Sequence, residues 1–180
     1  MIINRVYSPA SKNTFKIKPI SKLIDRYIRK NKYWIDPFAN NSIYNIFCKR
    51  TNDLNPKMNT TDHLDALVFL KQFESNSIDG VLFDPPYSVR QIKECYEGIG
   101  LKVNQKDTRC DFYSKIKTEI VRILKFNGIC ITFGWNSMGL GNQIMKKLEI
   151  LLVPHGGIHN DTICIVEKRN LTHPKQLGQY

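Results

Sequence analysis

The chain has 180 residues, 42% of them apolar, and 27 Lys and Arg against 16 Asp and Glu, for a formal charge of +11. That length supplies one domain with its own core and leaves little room for a second. The charge points to a polyanionic partner, nucleic acid foremost, with a merely basic surface as the alternative.

Five cysteines, at 48, 95, 110, 130 and 164, form no CxxC pair and no Cys/His cluster of zinc spacing. No structural metal is expected, and an odd, scattered set suits a reducing cytosol. The opening residues lack the apolar core of a signal peptide, and no apolar run approaches transmembrane length. The expected location is the cytoplasm, with no membrane partner.

In chain order, residues 19–30 place Ile20, Leu23, Ile24, Tyr27 and Ile28 on one helical face, opposite Lys22, Asp25, Arg26 and Arg29. YWID reads as a short strand, PFANNS as a turn, and residues 43–48 as a helix, after which a brief strand ends near Asp53. Residues 58–73 begin as a strand and become a helix carrying Leu67, Phe69 and Leu70. GVLF is a buried strand. Residues 88–111 show no clear period and are too long for a casual connector, which suggests a functional loop. A helix over 112–125 follows from Phe112, Ile116, Ile120, Ile123 and Leu124, with Asn127-Gly128 as its stop. GICITFGW is a second buried strand, residues 138–148 are expected to be helical, and EILLV with TICIVE reads as an antiparallel pair. The expected domain is single. Residues 1–13 are read as a flexible arm, 88–111 as a substrate-facing loop, and 170–180 as a loose tail.

Alternating strands and helices imply an α/β fold, a mostly parallel sheet with a C-terminal antiparallel hairpin and helices on both faces. Ligands in such sheets sit beyond the carboxyl ends of the strands. Asp36, Asp53, Asp65, Asp84 and Trp135 fall at or just after those ends. The stretch VLFDPPYS is the most informative. Pro85 and Pro86 cannot donate to a sheet ladder, so the strand stops at Asp84 and leaves an acid at its edge.

DPPY, together with the preceding DALVFLKQFESNSIDGVLF, resembles the class I S-adenosylmethionine-dependent DNA adenine-N6 methyltransferases, in a small form of phage or mobile-element type without a separate target-recognition domain. IDPFANNS resembles that family's DPFxGxG loop, and TFKIKPI its N-terminal cofactor-contacting segment. The likeness runs from Thr14 to Trp135. It implies a Rossmann-like methyltransferase sheet, S-adenosylmethionine as cofactor, and methyl transfer to the adenine amino group of DNA, as in restriction-modification systems. It further implies that Asp84 and the Pro85 carbonyl accept the two amino hydrogens, that Pro86 stiffens the corner, and that Tyr87 stacks on the flipped base.

For the cofactor the resemblance assigns Asp36, Phe38 and Ala39 to the methionine end, Asp53 to the ribose, and Asp65 with Ala66 to the cofactor's adenine. Thr14 and Phe15 are weaker contacts, and Asp84 borders the same ligand. Asn40, Asn41 and Ser42 depart from the family's glycines. Asp53 has an Asx turn as its alternative, Asp65 a role at the helix N-terminus, with Asp62 a rival cap, and Trp135 a place in the core. Phosphate contacts are expected from Arg90, Lys93, Lys102, Lys106 and Arg109. A homodimer or a separate specificity partner is the alternative source of target choice. Cys95 lacks a preceding proline, which disfavours cytosine ring-carbon chemistry. His155 and His159 read as surface loop residues. The substrate alternatives are RNA adenine and a protein glutamine amide. A non-catalytic nucleic-acid-binding subunit with a degenerate cofactor pocket is the rival from another class.

Overall fold

The computed structural model describes residues 1–100, 110–157 and 159–170. Its strands are β1 (Ile2–Arg5), β2 (Trp34–Asp36), β3 (Cys48–Thr51), β4 (Ile78–Phe83), β5 (Leu124–Gly134), β6 (Met145–Val153) and β7 (Thr162–Arg169). Its helices are α1 (Lys18–Tyr27), α2 (Ala66–Lys71), α3 (Val89–Glu97) and α4 (Cys110–Ile123), with a 3-10 turn at Thr14–Lys16. The strands form one sheet in the order β1-β6-β7-β5-β4-β2-β3. Only β7 runs antiparallel to its neighbours, β5 and β6; the other pairs are parallel. This is the expected α/β sheet with its C-terminal antiparallel pair.

The strands at the centre are apolar on both faces, as strands covered by helices must be. In β4, Val81 and Phe83 face the core under α2 and α4, with Phe69, Leu70, Ile116 and Ile120. Leu82 faces the opposite core under α1, with Ile20, Leu23, Ile24, Trp34 and Phe133. That period of two makes one strand the shared wall of both cores. Pro19 sits in the first turn of α1, where its missing N–H has no helical partner to lose. Among the described residues no helix is long and apolar enough to cross a membrane.

Several local expectations give way. Residues 43–47 form consecutive turns: Ser42 Oγ accepts from Tyr44 N at 3.0 Å, and Tyr44 O accepts from Phe47 N at 2.9 Å. The buried Tyr44 hydroxyl is held by Asp25 at 2.8 Å, so this segment is tied down by side-chain bonds and not by a helical ladder. Residues 138–144 are also turns. Gly139 and Gly141 take φ of 65° and 64°, and Leu140 N donates to Glu167 Oε2 at 2.7 Å, which ties the segment to β7. Asn127-Gly128 is no helix stop. It lies inside β5, where the pairing with β4 slips between Ile78–Leu124 and Gly80–Ile129, and Asn127 takes φ of 62° to make the bulge.

The N-terminal arm is in part a strand, since β1 adds to the sheet beside β6 in a register running from Ile2–Glu149 to Arg5–Leu152. His155 is buried, with Nδ1 2.8 Å from Ser8 O and Nε2 2.8 Å from Thr162 Oγ1, so it is an internal staple and no surface residue. The segment expected as a loop over 88–111 contains α3. The Ser88 side chain caps it by accepting from Gln91 N at 3.2 Å, and Arg90–Glu94 and Lys93–Glu97 pair one turn apart. Its apolar side is short, buried Ile92 with Tyr96 one turn on, and it stands among charged residues, so the sequence reading passed over a helix that the cap and the i,i+4 pairs complete.

Gly80 packs against the face of Trp34, and a Cβ there would lie 2.4 Å from two ring carbons. Overpacking of this kind costs about 1–3 kcal/mol, so Gly80→Ala is expected to lower the urea unfolding midpoint by a matching amount; an unchanged midpoint would contradict the packing.

Candidate active site

The chain leaves β2 toward β3 on one side and returns through β4 toward β5 on the other. The carboxyl ends of β2 and β4 therefore flank the point where the direction of winding reverses, and a crevice opens there because the two connections diverge. Asp36 ends β2, and Asp84 follows the last residue of β4. Pro85 and Pro86 stop the ladder there and turn the backbone outward.

Asp84 is partly buried. Its Oδ1 accepts a short hydrogen bond from the Tyr87 hydroxyl, and the Thr14 hydroxyl bonds the same carboxylate. Among the described residues no Lys or Arg pairs with it. Loss of solvent is the largest influence and lifts its pKa to about 6, while the Tyr87 and Thr14 hydrogen bonds hold it from rising further. Burial and the Asp84 charge raise the Tyr87 phenol well above its usual range, so it stays a donor.

On one side of the Pro85–Pro86 corner lies an open cleft of about 430 Å³ bordered by Lys12, Thr14, Asn40, Asp53, Asp84 and Gln91. It continues into a narrow slot of about 90 Å³, lined chiefly by apolar groups that include Phe38, Leu54, Leu64, Ala66 and Ile92. At its other end a recess of about 110 Å³ is lined by Asn13, Thr14, Phe15, Ala39 and Ser42. Residues expected to share one ligand thus do share one cleft: Thr14, Phe15, Phe38, Ala39, Asp53, Asp65, Ala66 and Asp84 all line it. Phe15 also belongs to the core, with its ring 4.9 Å from Phe133.

Asp36 is the exception. It is fully buried and lies beneath the cleft floor, where Oδ1 accepts from Phe38 N at 2.9 Å and Oδ2 has no partner among the described residues. Burial raises its pKa well above the usual carboxylate range, and the nearby Asp84 and Asp53 charges add to the rise. Its place is to shape the 36–38 turn. Asp53 makes the Asx turn given as its alternative, Oδ1 accepting from Asn55 N at 2.8 Å, and its Oδ2 holds Asn40 N at 3.0 Å, while the residue also lines the cleft. Asp65 is the cap of α2, accepting from Leu67 N at 2.9 Å and Val68 N at 3.3 Å, and it borders the slot as well. Asp62, the rival cap, instead pairs with Arg50, which holds its carboxyl below the usual range.

The glycine-poor loop closes by other means. Asn40 adopts φ of 47°, the left-handed region a glycine would take, and its Oδ1 accepts from Asn41 N at 2.6 Å. Asparagine tolerates this conformation because its short amide bonds the local backbone.

Across the corner is a second cavity of about 270 Å³, lined by Pro85, Pro86, Tyr87, Tyr113, Lys117, Thr132, Gly134, Trp135 and Asn136. The Trp135 ring stands 5.4 Å from the Tyr87 ring, so Trp135 walls this cavity and is no core residue. The Tyr113 hydroxyl bonds Pro86 O and braces the corner from α4. Tyr113 and Lys117 escaped the sequence reading because they sit on a helix whose apolar period alone identified it; their i,i+4 spacing on one face was the available signal. Lys12, on the cleft rim, was hidden in a segment read as an arm. Of the expected phosphate contacts, Arg90 and Lys93 are exposed on α3, paired with Glu94 at 2.8 Å and Glu97 at 3.6 Å. Lys102, Lys106 and Arg109 lie outside the described residues.

No protein-family model matches the chain, and no curated protein matches its sequence. Solved structures do match. The 1,6-didemethyltoxoflavin-N1-methyltransferase of Burkholderia thailandensis, with bound 1,6-didemethyltoxoflavin and S-adenosylhomocysteine, aligns at TM-score 0.58 and 11% identity over 86% of this chain and 78% of that one. TrmN from Thermus thermophilus aligns at TM-score 0.55 and 14% identity over 85% of this chain and 49% of that one, so this chain spans about half of TrmN. A SAM dependent methyltransferase from Archaeoglobus fulgidus aligns at TM-score 0.51 and 11% identity, covering 84% of this chain and 93% of the other. At such identities the likeness is one of architecture, and the chain has the Rossmann-like methyltransferase fold.

The Tyr87 hydrogen bond favours ionised Asp84, so its removal must raise the Asp84 pKa. Carboxyl-carbon NMR titration should place Asp84 at about 6 and shift it upward in Tyr87→Phe. A downward or absent shift would show that the phenol does not hold the carboxylate.

Proposed function

We propose that this chain transfers the methyl group of S-adenosylmethionine to the exocyclic amino group of adenine in DNA. The observation that carries this reading is the Asp84 corner: the carboxylate lines the cleft without a cationic partner among the described residues, and the Pro85, Pro86 and Tyr87 that follow it line the cleft and the second cavity alike. A buried ion pair there would serve structure; an unpaired acceptor at a corner whose next residues line two cavities suits the joining of two ligands.

The cleft residues fit the cofactor chemically. The flat apolar slot beside Phe38, Leu54 and Ala66 suits a purine, Asp53 presents lone pairs to ribose hydroxyls, and Lys12 at the opposite end offers a cation to an amino-acid carboxylate. The Asn40 turn supports this fit, since Asn40 itself takes a left-handed conformation of the kind glycine favours. That favours an enzyme over a binding subunit with a lost cofactor site. When bound, S-adenosylmethionine supplies an electrophilic methyl group on a positively charged sulfur.

The chain's own residues supply orientation. An adenine amine is a weak nucleophile because its lone pair is delocalised into the ring. Asp84 and the Pro85 carbonyl each accept one amino hydrogen, which localises that lone pair and aims it across the corner. The Tyr87 hydroxyl yields its place on Asp84 Oδ1 as the amine enters. Tyr87 and Trp135 form aromatic walls for a planar base that has left its stack, a feature that suits a nucleobase better than a glutamine amide. With a pKa near 6, Asp84 is ionised at neutral pH and basic enough to take the proton the methylated amine sheds. Arg90 and Lys93, near this corner in sequence, are the described candidates for phosphate contacts, and these would be salt-sensitive.

Tritiated methyl transfer offered DNA, RNA and protein should label DNA, with the label mapped to adenine N6. Asp84→Ala should reduce turnover by about 10²–10³-fold or more while calorimetry shows S-adenosylhomocysteine still bound. Unchanged turnover in that variant, or label confined to RNA or protein, would refute the assignment.

A further inference from the structure

The second cavity contains a charge that the chemistry above does not use. Lys117 stands one turn beyond Tyr113 on α4, and both line the cavity facing the Pro86–Tyr87 corner. Its Nζ donates to Gly139 O at 2.7 Å. An ammonium has three protons to place, and one carbonyl takes only one of them. Lys117 forms no ion pair among the described residues; the nearest acidic influence is Glu167, whose Oε2 is committed to Leu140 N at 2.7 Å. Burial lowers the Lys117 pKa and the Glu167 charge partly offsets this, so the site retains a cation in a poorly solvated place. Tying α4 to the 139 turn uses one of its donors, and the ammonium still lines the cavity, where a ligand can meet the others.

We infer that Lys117 is a substrate-binding residue that donates a hydrogen bond to a ring nitrogen of the target purine and so selects for the base. This rests on the adenine-amine reading. Once Asp84 and Pro85 hold the amino group, the purine keeps only acceptors, its ring nitrogens, and the cavity must meet one of them with a donor. Lys117 is the cation in that lining. A base with C–H at the matching position would leave the ammonium desolvated and unpaired, which is how a polar pocket rejects a near-isostere. The contact is made before and during transfer alike, so its loss should appear mainly in KM.

The test uses the full chain and an oligonucleotide carrying the mapped target adenine, prepared also with 1-deaza-, 3-deaza- and 7-deazaadenine at that position. The wild type should lose about 10–100-fold in kcat/KM on one of the three analogues, the scale of a hydrogen bond to a charged group. Lys117→Met should lose a similar factor on adenine, mostly through KM, and should no longer distinguish that analogue from adenine. It should lose the Gly139 tie and melt somewhat lower, yet stay folded at the assay temperature with the affinity of the wild type for S-adenosylhomocysteine. A variant that slows all four substrates by one factor, or that keeps the wild-type preference, overturns the inference and leaves Lys117 a structural tie. A wild type that methylates no adenine overturns the parent reading, and this inference with it, before any analogue is compared.

Discussion

A carboxylate held in poor solvent, with no cation paired to it among the described residues, organises the candidate site of this molecule. Burial works against ionisation of Asp84, Asp36 and Asp53 alike, and at Asp84 the fold answers with hydroxyls where a salt bridge would be the simpler remedy. Hydrogen bonds from Tyr87 and Thr14 soften the penalty but leave the carboxylate able to accept from a ligand. A lysine in the same place would have neutralised it and closed the gap between the two cavities.

The corner stays put because its supports come from distant parts of the chain. The 3-10 turn brings Thr14 to Asp84, α4 brings Tyr113 to the Pro86 carbonyl, and β5 ends where Trp135 can stand beside Tyr87. The two prolines contribute by removing donors and stiffening the backbone, so that acceptors at this strand end keep a fixed direction. Preorganisation of this kind places the desolvation cost in folding and not in the reaction step.

The cleft shows how one requirement can be met by different residues. A left-handed turn ordinarily asks for glycine; here Asn40 takes it, bonds its own neighbour through Oδ1, and has its N–H held by Asp53. Asp53 and Asp65 likewise spend carboxylate lone pairs on nearby backbone N–H groups while still bordering the cleft. The opposition between a structural and a ligand-binding acid dissolves at these positions, because a carboxylate has about four acceptor sites and the turns use only some of them.

The sequence by itself determined the strands that carry the site, the α/β class and the residues of the Asp84 corner, because buried apolar runs and prolines at a strand end have few other readings. It also placed the antiparallel C-terminal pair, since no crossover helix fits between the strands. It failed where structure rests on side-chain bonds with no period. Residues 43–47 and 138–144 became turns through Ser42, Asp25 and Glu167, and the short apolar side of α3, centred on Ile92, was passed over among its charged residues. Only the tertiary structure decided that Asp36 lies beneath the cleft, that Trp135 walls a cavity, and that Lys117 and Tyr113 reach the same space from a helix far along the chain. Those facts depend on which strand ends lie side by side, and adjacency across a sheet is set by packing between residues remote in sequence, which no local pattern records.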